Sequence, residues 1–251
     1  MADLATVVEY LDGYLDVAGV PDYEGAHNGL QVENSGHVSR IAAAVDASER
    51  TVLEAVRREC DLLLVHHGLF WDGASKVTGR RYRKLRPLLS GDVAVYSSHL
   101  PLDVHAEVGN NAVLARELEV SLEGRFGTYR GADIGWWGRL EVKREVLAAR
   151  LDEKLGGRVR MLAFGPEVVR TVGVITGGGG SLIETAAAAG LDAYVTGEGA
   201  HHTYFDAQEC GLNVFYGGHY ATETWGVRAL AQHVAERFDV TWEFIDHPTG
   251  L

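Results

Sequence analysis

Short apolar runs alternate with helix-like segments in the first half of the chain, and this alternation restricts the fold more than any other feature. The runs are IAAAV at 41–45, LLLV at 62–65 and VAVYSS at 93–98, and segments with helical spacing lie at 4–15, 51–60 and 111–118. Strands that are apolar on both faces and alternate with helices are typical of a parallel sheet covered on both sides. The pattern predicts an α/β fold with mostly parallel sheets.

The chain changes character after residue 124. The segment FGTYRGADIGWWGRLEV is aromatic and punctuated by glycine, which predicts a β-hairpin or a meander, and further strands and helices follow it. We therefore expect two α/β lobes. Residues 1–124 and 191–251 would form a metal-binding lobe, and residues 125–190 would form a second, smaller lobe.

The composition restricts the class of protein and its partners. Hydrophobic residues at 46% and charged residues at 23% are ordinary for a soluble globular protein. The N-terminal segment lacks a basic leader, and no apolar run is long enough for a membrane span, so we expect a cytoplasmic protein without membrane contact. A net charge of -12 repels phosphates, which argues against a nucleic-acid partner. We interpret the basic run GRRYRKLRP at 79–87 as a solvated helix face.

Side chains that can bind metals follow the apolar runs. His66 and His67 come directly after LLLV, Asp103 lies just beyond VAVYSS, and His219 and Glu223 follow the run LNVFY. Imidazole and carboxylate are ligands for divalent first-row metals, and five of them could hold two ions. In open α/β sheets the functional loops lie beyond the carboxyl ends of the strands. These five residues are therefore the predicted metal ligands.

Each part of this set has a structural alternative. His219 and Glu223 are four residues apart, at the start of a long helix predicted at 222–238, so both would project from one face. The pair could equally be a surface histidine and a glutamate that favours the helix dipole. Neighbours on a regular strand point to opposite faces, so His66 and His67 converge only if the backbone turns at the strand end. Otherwise one imidazole would be buried and the other exposed.

Further histidines flank these residues. His99 and His105 lie on either side of Asp103, where they could support the ligands by hydrogen bonds or replace them. His201 and His202 lie in GEGAHHTYFDA and could bind substrate, bind an extra metal, or line the entrance of the site. All four histidines are candidate proton shuttles, and the sequence does not rank them.

Longer blocks carry a resemblance to a known family. The blocks are HHGLFWDG, SSHLPLDVHAEVGNNAVLA and VTGEGAHHTYFDAQECGLNVFYGGHYATETWGVRAL. In order, spacing and flanking glycines they resemble the Nif-three-like dinuclear metal-centre family, whose members are often called GTP cyclohydrolase I type 2 homologues. TGGGGSL at 176–182 is similar to a further block of the family. It also looks like a phosphate-binding loop but lacks the lysine of a P-loop, which favours a tight turn or a close packing contact.

The resemblance covers nearly the whole chain and has several implications. It implies a fold of two α/β lobes and a toroidal homohexamer, a trimer of dimers. It also implies two divalent ions per subunit, which mixed histidine and carboxylate ligation would allow to be zinc, iron or manganese. His67 and Asp103 would hold one ion and His66 and His219 the other, with Glu223 bridging them.

Two classes of function are compatible with such a site. The first is a metal-dependent hydrolase of the cyclohydrolase type, or one that hydrolyses phosphoesters or nucleotides with a metal-activated water. Two divalent ions and two carboxylates leave a surplus of positive charge, which favours an anionic small-molecule substrate. The alternative is a non-catalytic metal-loaded ring with a regulatory, metal-handling or scaffold role. A ring that encircles DNA would need a positive lumen, for which the basic run at 79–87 is the only obvious source.

Overall fold

The computed structural model describes residues 1–71 and 75–251, and it divides into two compact units. The first unit comprises Met1–Leu102 and Gly226–His247, and the second comprises Asp103–Trp225 and Pro248–Leu251. The last two residues of the HHGLFWDG block, Asp72 and Gly73, lie outside the described residues. Within the described ranges, no helix combines the length and apolar character that crossing a bilayer requires.

The elements alternate along the chain as the sequence predicts. The strands are β1 Ala2–Asp3, β2 Gly29–Val32, β3 His37–Val38, β4 Arg40–Asp46, β5 Leu62–His67, β6 Ala94–Ser97, β7 Ser121–Tyr129, β8 Ala132–Lys143, β9 Arg160–Ala163, β10 Val168–Val174, β11 Ala193–Thr196, β12 Asn213–Tyr216 and β13 Thr241–Phe244. The α-helices are α1 Leu4–Tyr14, α2 Glu49–Arg57, α3 Gly79–Ser90, α4 Leu100–Val104, α5 Asn110–Glu117, α6 Arg144–Leu155, α7 Ile183–Ala188, α8 Thr203–Cys210, α9 His219–Thr222 and α10 Thr224–Phe238. A 3-10 turn, Gly179–Leu182, precedes α7.

The first unit is built on a mostly parallel sheet. Its described strands have the order β13-β4-β5-β6-β2, in which only β2 is antiparallel to its neighbour. The apolar runs of β4, β5 and β6 are buried on both faces of this sheet. Ser48 and Thr51 form a reciprocal capping box that starts α2 directly after β4. The prediction of an α/β fold with a mostly parallel sheet is confirmed here.

The second unit contains a mixed sheet. Its described strands have the order β7-β8-β10-β11-β12-β9, and only β10, β11 and β12 run parallel to one another. The predicted hairpin is β7 and β8, and β8 also pairs with β10. Leu147 and Leu151 of α6 pack on this sheet in a core that includes Val172 and Phe215.

The division of the chain differs from the predicted lobes. Residues 103–124 and 191–225 lie in the second unit rather than with the N-terminal residues. The cause is strand pairing, because β11 pairs with β10, β12 pairs with β11, and β9 closes the far edge. Of the C-terminal segment, only residues 226–247 return to the first unit, where β13 pairs with β4.

Candidate functional site

A cluster of three histidines lies at the carboxyl ends of β5 and β6 in the first unit. His66 and His67 end β5, His99 follows β6, and one ring nitrogen of each lies within 4.8 Å of the others. The ring centroids of His66 and His67 are 4.6 Å apart, so the two neighbours converge instead of pointing apart. His66 is fully buried, and the side chain of His67 is 19% exposed. The alternative with one buried and one exposed imidazole is therefore not what the structure contains.

Each histidine of this cluster has an acceptor at its Nδ1. The Nδ1 contacts are His66 to the carbonyl oxygen of Ser98 at 2.9 Å, His67 to a carboxylate oxygen of Asp46 at 2.9 Å, and His99 to a carboxylate oxygen of Asp22 at 2.8 Å. An oxygen that only accepts fixes the proton on Nδ1, which places the lone pair of a neutral ring on Nε2. Metal-binding histidines in proteins have this same support. The cluster is thus arranged to offer Nε2 atoms to a cation.

Asp22 anchors the loop that carries His99. Burial alone would raise the pKa of Asp22, but hydrogen bonds from His99, Asn28 and Tyr23 lower it below its ordinary value. The backbone nitrogen of Leu100 also donates to Asp22, at 3.0 Å. The sequence prediction missed Asp22, the partner of His99, and Asp46, the partner of His67. Asp22 and His99 are 77 residues apart in the sequence, so no local pattern connects them.

His219 and Glu223 lie in the second unit and contact each other. The Nε2 of His219 is 3.2 Å from a carboxylate oxygen of Glu223, which is 3% exposed. The predicted single helix at 222–238 is wrong at its start, because the chain forms the one-turn helix α9 and then begins α10 at Thr224. The Thr222 hydroxyl bonds the carbonyl oxygens of Gly218 and His219, and Glu223 caps the end of the turn.

Carboxylates flank both nitrogens of His219. Its Nδ1 lies 2.9 Å from Glu198, a residue that the sequence prediction missed, and its Nε2 faces Glu223. The hydrogen bond to Glu223 is the main cause that raises the pKa of His219 to about 9, against the opposing effect of burial, and Glu198 adds to it. The two carboxylates therefore favour a positive charge at this position.

Asp103 is held by a neighbouring amide in the same unit. It is 7% exposed, and the Nδ2 of Asn110 donates to it at 2.8 Å. The hydroxyl of Thr176 lies 3.4 Å from the same carboxylate oxygen. Asn111 fixes Thr176 by accepting from its backbone nitrogen at 2.7 Å and from its hydroxyl at 2.8 Å. Since the hydroxyl of Thr176 has one hydrogen and donates it to Asn111, Asn110 at the start of α5 is the donor that orients Asp103 here.

The glycine-rich segment at 176–182 provides close backbone packing. Gly177 follows β10 with φ of 64°, and a Cβ there would overlap the carboxylate of Glu223. Its backbone nitrogen donates to the hydroxyl of Thr222 at 3.0 Å, and its carbonyl oxygen accepts from Gly197 and Glu198. This supports the interpretation as a packing contact rather than a phosphate-binding loop.

Comparison with known proteins identifies the family. The family profile described as Duf34/NIF3 (NGG1p interacting factor 3) matches residues 2–249. The chain belongs to the Duf34/NIF3 family. A relative from Deinococcus radiodurans called GTP cyclohydrolase 1 type 2 homolog is 42% identical over 249 residues, which cover 98% of this chain and 93% of the relative.

Solved Duf34/NIF3-like structures share the fold. The protein ybgI, described as of unknown function, aligns with a TM-score of 0.92, 38% identity and full coverage of both chains. A protein from Thermus thermophilus aligns with a TM-score of 0.90, 40% identity and full coverage of both chains. The family resemblance and the fold class predicted from sequence are confirmed.

The donors of this Duf34/NIF3 chain fit divalent metals. The histidine cluster offers imidazole nitrogens in the metal-binding tautomer, and Asp103 and Glu223 offer buried carboxylates. Both carboxylates flank the turn at Gly177, and His219 lies beside Glu223. Mixed nitrogen and oxygen donors of this kind are compatible with zinc, iron or manganese.

The four candidate proton shuttles have different surroundings. His99 belongs to the histidine cluster. The Nδ1 of His105 accepts from the backbone nitrogens of Glu107 and Val108, both at 3.2 Å, so this ring stabilises a turn. His201 and His202 are exposed at the start of α8.

Proposed function

We propose that this Duf34/NIF3 protein is a hydrolase that uses two divalent ions bound by His66, His67, Asp103, His219 and Glu223. The observation that carries the proposal is the histidine cluster, in which an acceptor oxygen fixes the proton of every ring on Nδ1. A cluster that served only to pack the core would not need this uniform tautomer. The proposal assigns the ligands as the family resemblance implies, with Glu223 shared between the ions.

Several residues would support the proposed ligands by hydrogen bonds. The three carboxylates that hold histidine rings, Asp22, Asp46 and Glu198, would keep the imidazoles oriented and basic. Asn110 would orient Asp103. When bound, the ions would supply charge neutralisation and activation of water at neutral pH.

The charge balance supports an anionic substrate. Two divalent ions outweigh the charge of the two carboxylate ligands, so the loaded site would carry a surplus of positive charge. The relatives named GTP cyclohydrolase 1 type 2 homolog suggest the opening of a purine ring as one reaction. Hydrolysis of a phosphoester or nucleotide needs the same activated water and is the other reaction within the proposal.

Metal analysis of matched variants tests the ligands. The wild-type protein should contain two ions per subunit after loading, whereas Glu223→Gln and Asp103→Asn should each lose at least one, because an amide cannot supply a negative oxygen ligand. Glu153→Gln, an exposed change on α6, serves as the control and should keep both ions. Circular dichroism checks that the variants are folded. Two ions per subunit in both ligand variants would refute the assignment.

A hydrolysis screen tests the reaction. The manganese-, iron- and zinc-loaded protein is assayed against nucleotides and phosphoesters, with Glu223→Gln in parallel as the blank. Activity that disappears in Glu223→Gln but not in Glu153→Gln supports the proposal. Full metal loading without hydrolysis of any compound would instead favour the non-catalytic metal-loaded ring.

Self-association belongs to the same proposal. The resemblance to the family implies a toroidal homohexamer, which multi-angle light scattering would report as six times the subunit mass of 27.2 kDa. A monomeric mass for the metal-loaded protein would refute the hexamer without affecting the ligand assignment.

A further inference from the structure

A cavity of about 640 Å³ lies within the second unit, beside the turn that follows β11. That volume is typical of pockets for small molecules. The cavity is bounded by the turn at 197–201, the first residues of α8, and the paired strands β9 and β12. Its polar and aromatic lining residues are Arg160, Glu198, His201, Thr203, Tyr204, Phe205 and Tyr216. Of these, the sequence singled out only His201, as a residue that could bind substrate or an extra metal.

One wall of the cavity is aromatic and accessible. Tyr204 is 37% exposed and Phe205 is 48% exposed, which is unusual for side chains of this size. Their ring centroids are 5.5 Å apart and the ring planes are nearly perpendicular, at 83°. Phe164 also contacts Tyr204 in an edge arrangement, with ring centroids 5.2 Å apart. A planar ligand stacked on Tyr204 would therefore meet Phe205 in an edge-to-face contact, and both arrangements are favourable for aromatic rings.

The charged groups of the cavity are separated along its lining. Arg160 is exposed on the edge strand β9, opposite Tyr216, and forms no ion pair with any residue in the described part of the chain. Its guanidinium group is suited to a phosphate or carboxylate. Glu198 lies at the end nearest His219, to which it is hydrogen-bonded. The carboxylate of Glu198 can accept a hydrogen bond from an amino, imino or hydroxyl group.

The polar floor of the cavity is preformed. Thr203 donates its hydroxyl to the carbonyl oxygen of Ala200 at 2.6 Å, and the hydroxyl of Tyr216 lies 2.6 Å from the same oxygen of Thr203. Gly199 allows this approach, because a Cβ there would overlap Thr203 and Tyr216. The floor therefore keeps its shape without help from a ligand, which reduces the cost of binding.

We propose that this cavity binds the aromatic part and the negative charge of the substrate, and that the substrate is a nucleoside phosphate. The ring stacks on Tyr204 and meets Phe205 edge to face, a phosphate group binds Arg160, and Glu198 accepts a hydrogen bond from the base or the sugar. This inference rests on the proposed function, because Glu198 also holds His219. It narrows the anionic substrates of the proposed function to nucleoside phosphates and adds the residues that select them.

Calorimetric titration of the full-length protein tests the cavity with defined probes. The probes are the four common ribonucleoside monophosphates, their nucleosides and ribose 5-phosphate. At least one monophosphate should bind, and the matching nucleoside and ribose 5-phosphate should bind at least about tenfold more weakly. Failure of every monophosphate to bind, or equal binding of ribose 5-phosphate, would overturn the proposal.

Variants assign the binding to the cavity. Arg160→Gln should weaken the monophosphate about tenfold and leave the nucleoside unchanged, whereas Tyr204→Leu should weaken both. Arg158→Gln, an exposed change outside the cavity lining, is the matched control and should bind like the wild type. Unchanged affinity in both cavity variants would overturn the proposal. A change in oligomeric mass without a change in affinity would also overturn it, because the aromatic wall would then be a contact between copies of the chain.

Metal analysis tests the proposed metal centre, whereas ligand titration tests the proposed cavity. Arg160→Gln and Tyr204→Leu should retain the metal content of the wild type, since neither residue is a proposed ligand. Loss of nucleotide binding with full metal loading supports the cavity. If Glu223→Gln keeps both metals, the metal centre is wrong while the titrations still decide the cavity.

Discussion

Asn110→Ala should weaken metal binding without a matching loss in the ability of the chain to fold. Asn110 is fully buried, and its Nδ2 donates to Asp103 at 2.8 Å. Alanine removes this donor, so the carboxylate of Asp103 loses a contact that orients it. Asp103 is a ligand in the proposed centre, so the loss of this hydrogen bond should lower the affinity for the metal.

The magnitude follows from the contact itself. A hydrogen bond to a charged group contributes about 1.5–3 kcal/mol. Removal of a partner that orients a metal ligand typically weakens metal binding about 10- to 100-fold. This range corresponds to about 1.4–2.8 kcal/mol, so the two estimates agree. We therefore expect the dissociation constant of one ion to rise by about one to two orders of magnitude.

Competition with a chromophoric chelator measures the dissociation constant, and Asn213→Ala is the matched control. Asn213 is also fully buried, but within residues 1–71 and 75–251 it bonds only backbone groups, those of Gly165, Pro166 and Asp192. Its replacement should lower Tm by roughly 5–10 °C and leave metal affinity unchanged. If Asn110→Ala lowers Tm but binds both ions like the wild type, Asp103 is not a ligand that Asn110 orients.

Three further outcomes follow from the structure. Ellman's reagent should label Cys210 but not Cys60 in the folded protein, because Cys60 is 2% exposed and burial raises its pKa to about 11; labelling of both thiols before unfolding would contradict this. Gly138→Ala should lower the free energy of unfolding by about 2–4 kcal/mol, since the new methyl group would overlap the backbone of β7, whereas Gly13→Ala has open space in α1 and should raise it by about 0.5–1 kcal/mol. Urea titrations that gave both changes the same sign would refute this contrast. Burial would raise the pKa of Asp61, but hydrogen bonds from neighbouring hydroxyl and backbone groups lower it, so its carboxylate stabilises the fold above pH ~4 and loses this effect as the pH falls. Asp61→Asn should therefore lie further below the wild type in stability at pH 7 than at pH 3, and a difference that does not shrink between these two pH values would count against this reasoning.

Elements of the fold were predictable where burial leaves a pattern along the chain. The runs that became β4, β5 and β6 are apolar on both faces because the sheet is covered on both sides. The sequence of a strand carries no comparable pattern that shows which other strand it pairs with. Val172 of β10 pairs with Ala193 of β11, and this contact assigned residues 191–225 to the second unit against the prediction. Periodicity identifies a strand, while its sheet is decided by contacts distant in sequence.

The candidate site, like the fold, could be predicted only in part from the sequence. The proposed ligands could be selected by side-chain type and by their place after apolar runs. Asp22, Asp46 and Glu198 could not, because the chain has 35 acidic residues and most of them face solvent. Only the folded chain brings each of them to the Nδ1 of a particular histidine. Arg160 was missed for the same reason, since an exposed arginine on an edge strand has no distinguishing sequence context.

The first unit cannot complete its sheet early in synthesis, because its two parts are far apart in the sequence. Its sheet needs β13 beside β4, but residues 103–225 are synthesised between the two parts of this unit. During that interval one edge of an apolar strand has unpaired backbone groups, which is the kind of surface that aggregates. The N-terminal unit can therefore complete its sheet only after the inserted unit has emerged. Premature termination before Thr241 would leave that edge open for pairing with another nascent chain.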